Sequence, residues 1–161
     1  MQLDFFRVLE ENKVRYLVAG GVAVVLHGFL RATADLDLMI SFQPDNVGAF
    51  LKTVKAFEYR PRVPVPLEAF ASEIERLRWK TEKGMLVFTL YHPTRHQDVI
   101  DVFTHEPVPF EEAYARRRVF EAQGVPISVV GLDDLVRMKT LAGRRQDHED
   151  IKALRDLEGR A

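Results

Sequence analysis

The residues best suited to chemistry lie in one segment, Ala19 to Ser41, AGGVAVVLHGFLRATADLDLMIS. Gly20 and Gly21 follow a short β-rich run and precede small and apolar residues. Glycine lets a backbone approach a bulky anion, and the first N–H groups of a helix have no partner within it. Phosphate is the usual guest of such a turn. A glycine pair alone is a weak signal, because a tight strand-to-helix connection without a ligand uses the same residues. Asp35 and Asp37 stand two apart, flanked by Leu36, Leu38 and Ile40. In a strand, alternate residues share a face, so the two carboxylates point together and the leucines point into the core. Like charges so placed repel unless a cation lies between them. With no cysteine in the chain, hard oxygen ligands favour Mg²⁺ or Mn²⁺ over zinc. The competing reading is a solvated strand face, which the poor strand propensity of Asp weakens.

A third acid, Asp101, sits in the apolar run VIDVF over 99–103. Should this strand pair beside that of Asp35 and Asp37, three carboxylates converge. Such a set can hold two metals, one on a triphosphate and one on an attacking oxygen. An exposed acid on an edge strand is the alternative. Asp98 precedes the run and is placed at its mouth. Arg31 lies four residues before Asp35, where a forked guanidinium suits a polyphosphate or is simply solvated. Thr33 can donate to phosphate or cap the strand entrance. Lys139 interrupts an apolar helix face, as a phosphate ligand or a snorkelling side chain. Asp147 and Asp150 form D-x-x-D, a spacing near that of a capping box with Asp147 as N-cap. In an unbroken helix Lys139 and Asp150 would be roughly 16 Å apart. They meet only where the helix breaks near Gly143.

The elements that must position these residues are read from hydrophobic period and turn chemistry. Leu3, Phe6 and Leu9 have helical spacing. Val14 to Ala19 reads as a strand and Gly21 to His27 as a helix stopped by Gly28. Leu36 to Ile40 reads as a second strand, and Pro44-Asp45 opens a helix over Val47 to Phe57. Arg60 to Pro66, RPRVPVP, reads as a loop, followed by a charged segment. Met85 to Tyr91 and Val99 to Phe103 read as strands, and Val119 to Val130 as a hairpin turning at Gln123-Gly124. Helices follow from Leu132 and over Ile151 to Leu157. The order predicts an α/β (α+β) fold, a small mixed β-sheet flanked by helices. It forms one domain over 1–161, with C-terminal helices from about 131.

The 161 residues are 47% hydrophobic and 29% charged, ordinary globular proportions. The absence of cysteine excludes disulfides, zinc-thiolate sites, iron–sulfur clusters and thiol nucleophiles. The 23 basic and 24 acidic side chains leave a net charge of −1, so bulk charge does not attract nucleic acid. An RNA acceptor would need a local patch such as Arg144-Arg145 or Arg116 to Arg118. The N-terminus lacks the basic start of a secretory signal, and the longest apolar stretch is too short to span a bilayer. A cytoplasmic protein without membrane contact is expected. No serine occupies a G-x-S-x-G elbow and no Walker lysine follows the glycines, against a serine hydrolase and a P-loop NTPase. His27 reads as a helix-end residue. His92, His96 and His105 match no metal spacing, and Trp79 reads as packing.

Apolar-Gly-Gly, thirteen residues, Asp-apolar-Asp-apolar and a later Asp in an apolar strand together resemble the nucleotidyltransferase superfamily typified by DNA polymerase β. The resemblance implies that Gly20 and Gly21 hold the nucleotide phosphates and that Asp35, Asp37 and Asp101 bind two Mg²⁺ ions. Gly21 stands where many members have Ser. Arg31-Ala32-Thr33, Leu135 to Lys139 and Ala142 to Ile151 are similar to AbiEii-type bacterial nucleotidyltransferases of toxin–antitoxin and phage-defence systems. That likeness implies Lys139 directed at the phosphates and a cognate toxin or antitoxin partner. The leading expectation is a Mg-dependent transfer of NMP from an NTP to an acceptor hydroxyl, with release of pyrophosphate. The acceptor is left open among tRNA, a protein and a small molecule. A non-catalytic binding module, as antitoxin or regulatory partner, and a metal-dependent nuclease are the competing readings.

Overall fold

Seven strands form one mixed sheet in the computed structural model, which describes residues 3–160; Met1, Gln2 and Ala161 lie outside them. They are β1 (Tyr16–Ala19), β2 (Leu36–Ile40), β3 (Arg60–Pro61), β4 (Val87–Tyr91), β5 (Val99–Phe103), β6 (Arg118–Ala122) and β7 (Val125–Val129). Their order across the sheet is β3-β4-β5-β2-β1-β7-β6. β2 runs parallel to β5, β1 parallel to β7, and the remaining neighbours are antiparallel. The helices are α1 (Leu3–Glu11), α2 (Gly20–Leu26), α3 (Pro44–Ala56), α4 (Glu73–Lys83), α5 (Phe110–Ala115), α6 (Leu132–Ala142) and α7 (Arg145–Glu158). This is the α/β architecture expected, with helices flanking a mixed sheet.

All four residues of β1 are buried, as are Leu38, Met39 and Ile40 of β2. A strand covered on both faces reads as a continuous apolar run, as β1 does throughout and β2 does from Leu38 onward. Phe5, Phe6 and Leu9 of α1 join the core, with Val47, Phe50 and Val54 of α3. Each large apolar side chain so buried contributes roughly 1.5–3 kcal/mol. Register across the centre is set by this burial, since a one-residue slip would turn the apolar set outward. The same register carries Ala19, Asp37, Asp101 and Thr89 into one row across β1, β2, β5 and β4.

Several expectations need correction. Arg60-Pro61 is not loop but a short edge strand on β4, where a proline is tolerated because its missing N–H faces away from the ladder. The charged segment before Gly84 is helix α4, started by Ser72, whose hydroxyl accepts from the Glu75 amide at 3.2 Å. α5 was not expected at all; at six residues it is too short to show a clear period. The final helix begins at Arg145 rather than Ile151, and its N-cap is Arg144 rather than Asp147. Asp147 is at the N3 position and reaches back to accept from the Arg144 amide at 3.0 Å. Among the described residues no helix is long and apolar enough to cross a membrane.

Candidate active site

The chain turns from β1 into α2 at Gly20, which has a φ of +60°. Only glycine adopts that region without strain. Space imposes the same residue, because a Cβ on Gly20 would overlap the Asp37 carboxylate. A Cβ on Gly21 would run into the Thr33 hydroxyl and then the Arg31 guanidinium. A side chain at position 21 would therefore compete with Thr33 for the same room. Both residues sit in the approach to β2, and β2 brings Asp37 beside Ala19 on one side and Asp101 on the other. Asp35 lies one residue before β2 and is exposed.

The three sheet acids share a hollow of about 370 Å³ with Gly21, Arg31, Thr33 and Lys139. All eight residues singled out for the site, Gly20 included, lie around it or the hollow adjoining it. The Asp37 carboxyl is pushed up to about 6, first by burial and then by the charges of Asp101 and Asp35. Asp35 is raised for the same reasons, with Arg62 opposing. Asp101 is oriented by Thr89, whose hydroxyl donates to Oδ1 at 2.6 Å. No motif marks Thr89; it is found only through its register with Asp101.

Facing the sheet acids is a second set of charges built on α6 and α7. Gly143, with φ +64°, ends α6 in the left-handed conformation, and α7 then turns back against it. The turn folds Lys139 onto both acids of α7. Its Nζ lies 3.1 Å from Asp147 Oδ1 and 2.8 Å from Asp150 Oδ2, with the lysine side chain 4% exposed. Arg31 binds Asp150 with two prongs, Nε to Oδ1 at 2.8 Å and Nη2 to Oδ2 at 2.9 Å. Gln146 donates to Asp150 at 3.0 Å, and the Arg144 Nε donates to Asp147 at 2.8 Å. Burial alone would raise both α7 carboxyls. The hydrogen bonds from Arg31 and Lys139 outweigh it at Asp150, those from Arg144 and Lys139 at Asp147, and both lie below the usual range. The break at Gly143 was the sequence signal for this cluster. The roles of Gln146 and Arg144 in it had none.

Asp35, Asp37, Asp101, Asp147 and Asp150 face Arg31, Lys139 and Arg144, with Arg62 acting on Asp35, five carboxylates against four cations. A divalent ion suits this negative excess and an all-oxygen donor set. Among the described residues no three carboxylate or imidazole groups stand close enough together to hold a metal as they lie. These acids match a hard cation in chemistry, although they do not stand at ligand spacing as they lie. His27 is structural: its Nε2 meets the Val130 carbonyl at 2.8 Å. Trp79 packs flat on Phe88 with ring centroids 5.0 Å apart.

Residues 4–157 match the model of a protein family described as nucleotidyltransferase of unknown function (DUF6036). Among solved structures, the fold is similar to the lincosamide antibiotic adenylyltransferase LnuA in its lincomycin-bound form. The TM-score is 0.59 at 16% identity, over 96% of this chain and 94% of that one. It is also similar to an antigenic nucleotidyltransferase-like protein from Paracoccidioides brasiliensis. There the TM-score is 0.58 at 16% identity, over 99% of this chain and 74% of that one. At such identities the likeness is one of fold. No curated protein sequence gives a significant match.

Proposed function

The chain belongs to this family of nucleotidyltransferases, and on that premise we propose that it moves NMP from an NTP to an acceptor hydroxyl and releases pyrophosphate. The observation that carries the reading is the row Ala19–Asp37–Asp101, which sets two carboxylates abreast beside the Gly20 turn. Gly20 and Gly21 let the triphosphate come close to the backbone. Arg31 and Lys139 face it from the side, held in place by Asp150 and Asp147, and Thr33 offers its hydroxyl. Asp35, Asp37 and Asp101 would hold Mg²⁺ or Mn²⁺, which when bound supplies charge neutralisation on the phosphates. Asp101, oriented by Thr89, takes the proton of the acceptor hydroxyl. Most of the rate comes from positioning and from cations placed where charge develops.

Against a non-catalytic module stands the cost of Asp37. A half-buried acid raised by desolvation and then by its neighbours destabilises the fold at neutral pH, and a chain with no use for it would be more stable with Asn. The AbiEii-type resemblance supports use in a toxin–antitoxin or defence system with a cognate protein partner, in the cytoplasm. The test is calorimetric titration of NTP with Mg²⁺, alongside incubation with α-labelled NTP, on the wild type and the Asp35→Asn/Asp37→Asn variant. Metal-dependent binding and transfer that vanish in the variant support the reading. Unchanged binding and turnover would sink it.

A further inference from the structure

The phosphate hollow adjoins a second one of about 330 Å³. Asp37, Asp101, Lys139, Arg144 and Asp147 border both. Away from that shared border the two differ in chemistry. The first continues into Gly21, Arg31, Thr33 and Gln146. The second continues into Leu86, Val87, Phe103, Pro107, Leu135 and Met138. We infer that the second hollow is the acceptor lobe and that the acceptor is a small organic molecule, an apolar body bearing the reacting hydroxyl. This rests on the nucleotidyl-transfer reading and adds to it the class of substrate.

In phosphoryl transfer the attacking and leaving oxygens lie roughly in line. The acceptor oxygen places a lone pair on the α-phosphorus while the bond to the bridging oxygen breaks. Pyrophosphate leaves with that electron pair, and the hydroxyl proton passes to Asp101 and then to water. The polyanionic leaving group belongs on the side where Gly21, Arg31 and Thr33 add to the shared Lys139 and Arg144. The hydroxyl must then arrive from the opposite side of the shared carboxylates, and that side is apolar. A nucleic-acid strand would need cations for its backbone and aromatic faces for its bases. The wall beyond the shared border has no cation and one aromatic ring, Phe103, which meets His105 edge-on at 5.9 Å. The volume suits a small ligand, at the lower end of the ~300–1,000 Å³ common for such sites. Leu86, 51% exposed, puts an apolar side chain on the rim without a core to protect.

The experiment incubates the full chain with Mg²⁺ and each α-labelled NTP. Three acceptor pools run in parallel: the fraction of a cell extract below ~1 kDa, total RNA, and extract protein. Leu86→Glu is assayed beside the wild type, with NTP affinity measured by calorimetry. The expected product is a labelled small molecule retained longer than the free nucleotide on a reversed-phase column. Leu86→Glu should lower its formation about tenfold or more through the acceptor KM, with NTP affinity changed less than about twofold. Label in RNA or protein overturns the inference, as does a small product no more apolar than the nucleotide. NTP binding with no labelled small molecule overturns it too. A parallel loss of NTP affinity in Leu86→Glu assigns the lobe to the nucleobase and also overturns it. Failure of the wild type to bind NTP at all is the separate outcome that removes the transfer reading itself.

Discussion

Asp35 and Asp37 at the sheet and Asp147 and Asp150 on α7 border one site, yet their surroundings drive their protonation apart. Asp37 is raised to about 6 by burial and by the two acids beside it. Asp150 is lowered, because Arg31, Lys139 and Gln146 hydrogen-bond it against the effect of burial. The α7 acids have already found their cations within the protein. Asp35 and Asp37 feel Arg62, Lys139 and Arg144 only through space, and this does not offset burial and their mutual repulsion. The molecule thus uses the α7 acids for its own architecture and holds the others for a partner from solution. Carboxylates serving the first purpose stabilise the chain, and those serving the second destabilise it until the partner arrives.

The two sets of acids should differ most in their effect on rate. Replacing both Asp35 and Asp37 with Asn should cut transfer about 10⁴-fold, or ~5.5 kcal/mol of barrier, in a labelled-NTP assay. The fold should remain intact by circular dichroism, since no cation loses its partner. Asp150→Asn should do the reverse and act on stability. It leaves Arg31 and Lys139 short of a carboxylate that is wholly buried, a loss of about 4 kcal/mol on urea unfolding. An Asp150→Asn protein as stable as the wild type would remove the architectural half of the contrast.

A smaller effect distinguishes the two sets by pH. Asp37 has a folded value of about 6 against its usual 3.8. Its contribution is therefore fully present below 3.8 and is lost as pH rises through 6. In metal-free protein Asp37→Asn should gain on the order of 2 kcal/mol at pH 7, a gain that fades as pH falls through 6 and is gone below 3.8. Asp150 has the opposite sign: its stabilisation is present above 3.8 and is lost as pH falls through its lowered value. Urea midpoints of the wild type, Asp37→Asn and Asp150→Asn across pH 3 to 8 would show the two trends or refute them. Smallest is Thr33→Ala, which removes the hydroxyl lying over Gly21. NTP affinity should weaken by about 1 kcal/mol, roughly fivefold, with stability nearly unchanged.

Much of the fold was legible because its signals are local. The VRYLVA-Gly-Gly junction and the apolar run around Asp37 declared two central strands and the turn between them. The hairpin at Gln123-Gly124 was readable from its turn residues. What escaped was set by partners far along the chain. Arg60-Pro61 becomes a strand only because β4 offers an edge, and no short-range pattern in a proline-rich stretch announces that. Within the site, Asp35, Asp37 and Asp101 stood out because acids are rare inside apolar β-runs. Asp147 was read as a cap, and it is part of one, but its second role depends on Lys139 reaching it across a helix break.

By itself the sequence determined which residues could bear charge next to a close-approach glycine turn, since residue type and two-residue period decide those properties locally. Tertiary structure alone decided their company. The parallel pairing of β2 with β5 sets Asp37 beside Asp101 although 64 positions separate them in the chain. The reversal at Gly143 brings Lys139 and Arg31 to the carboxylates of α7. Charge interactions depend on distance in space, and that distance exists only after the sheet register and the helix turn have formed.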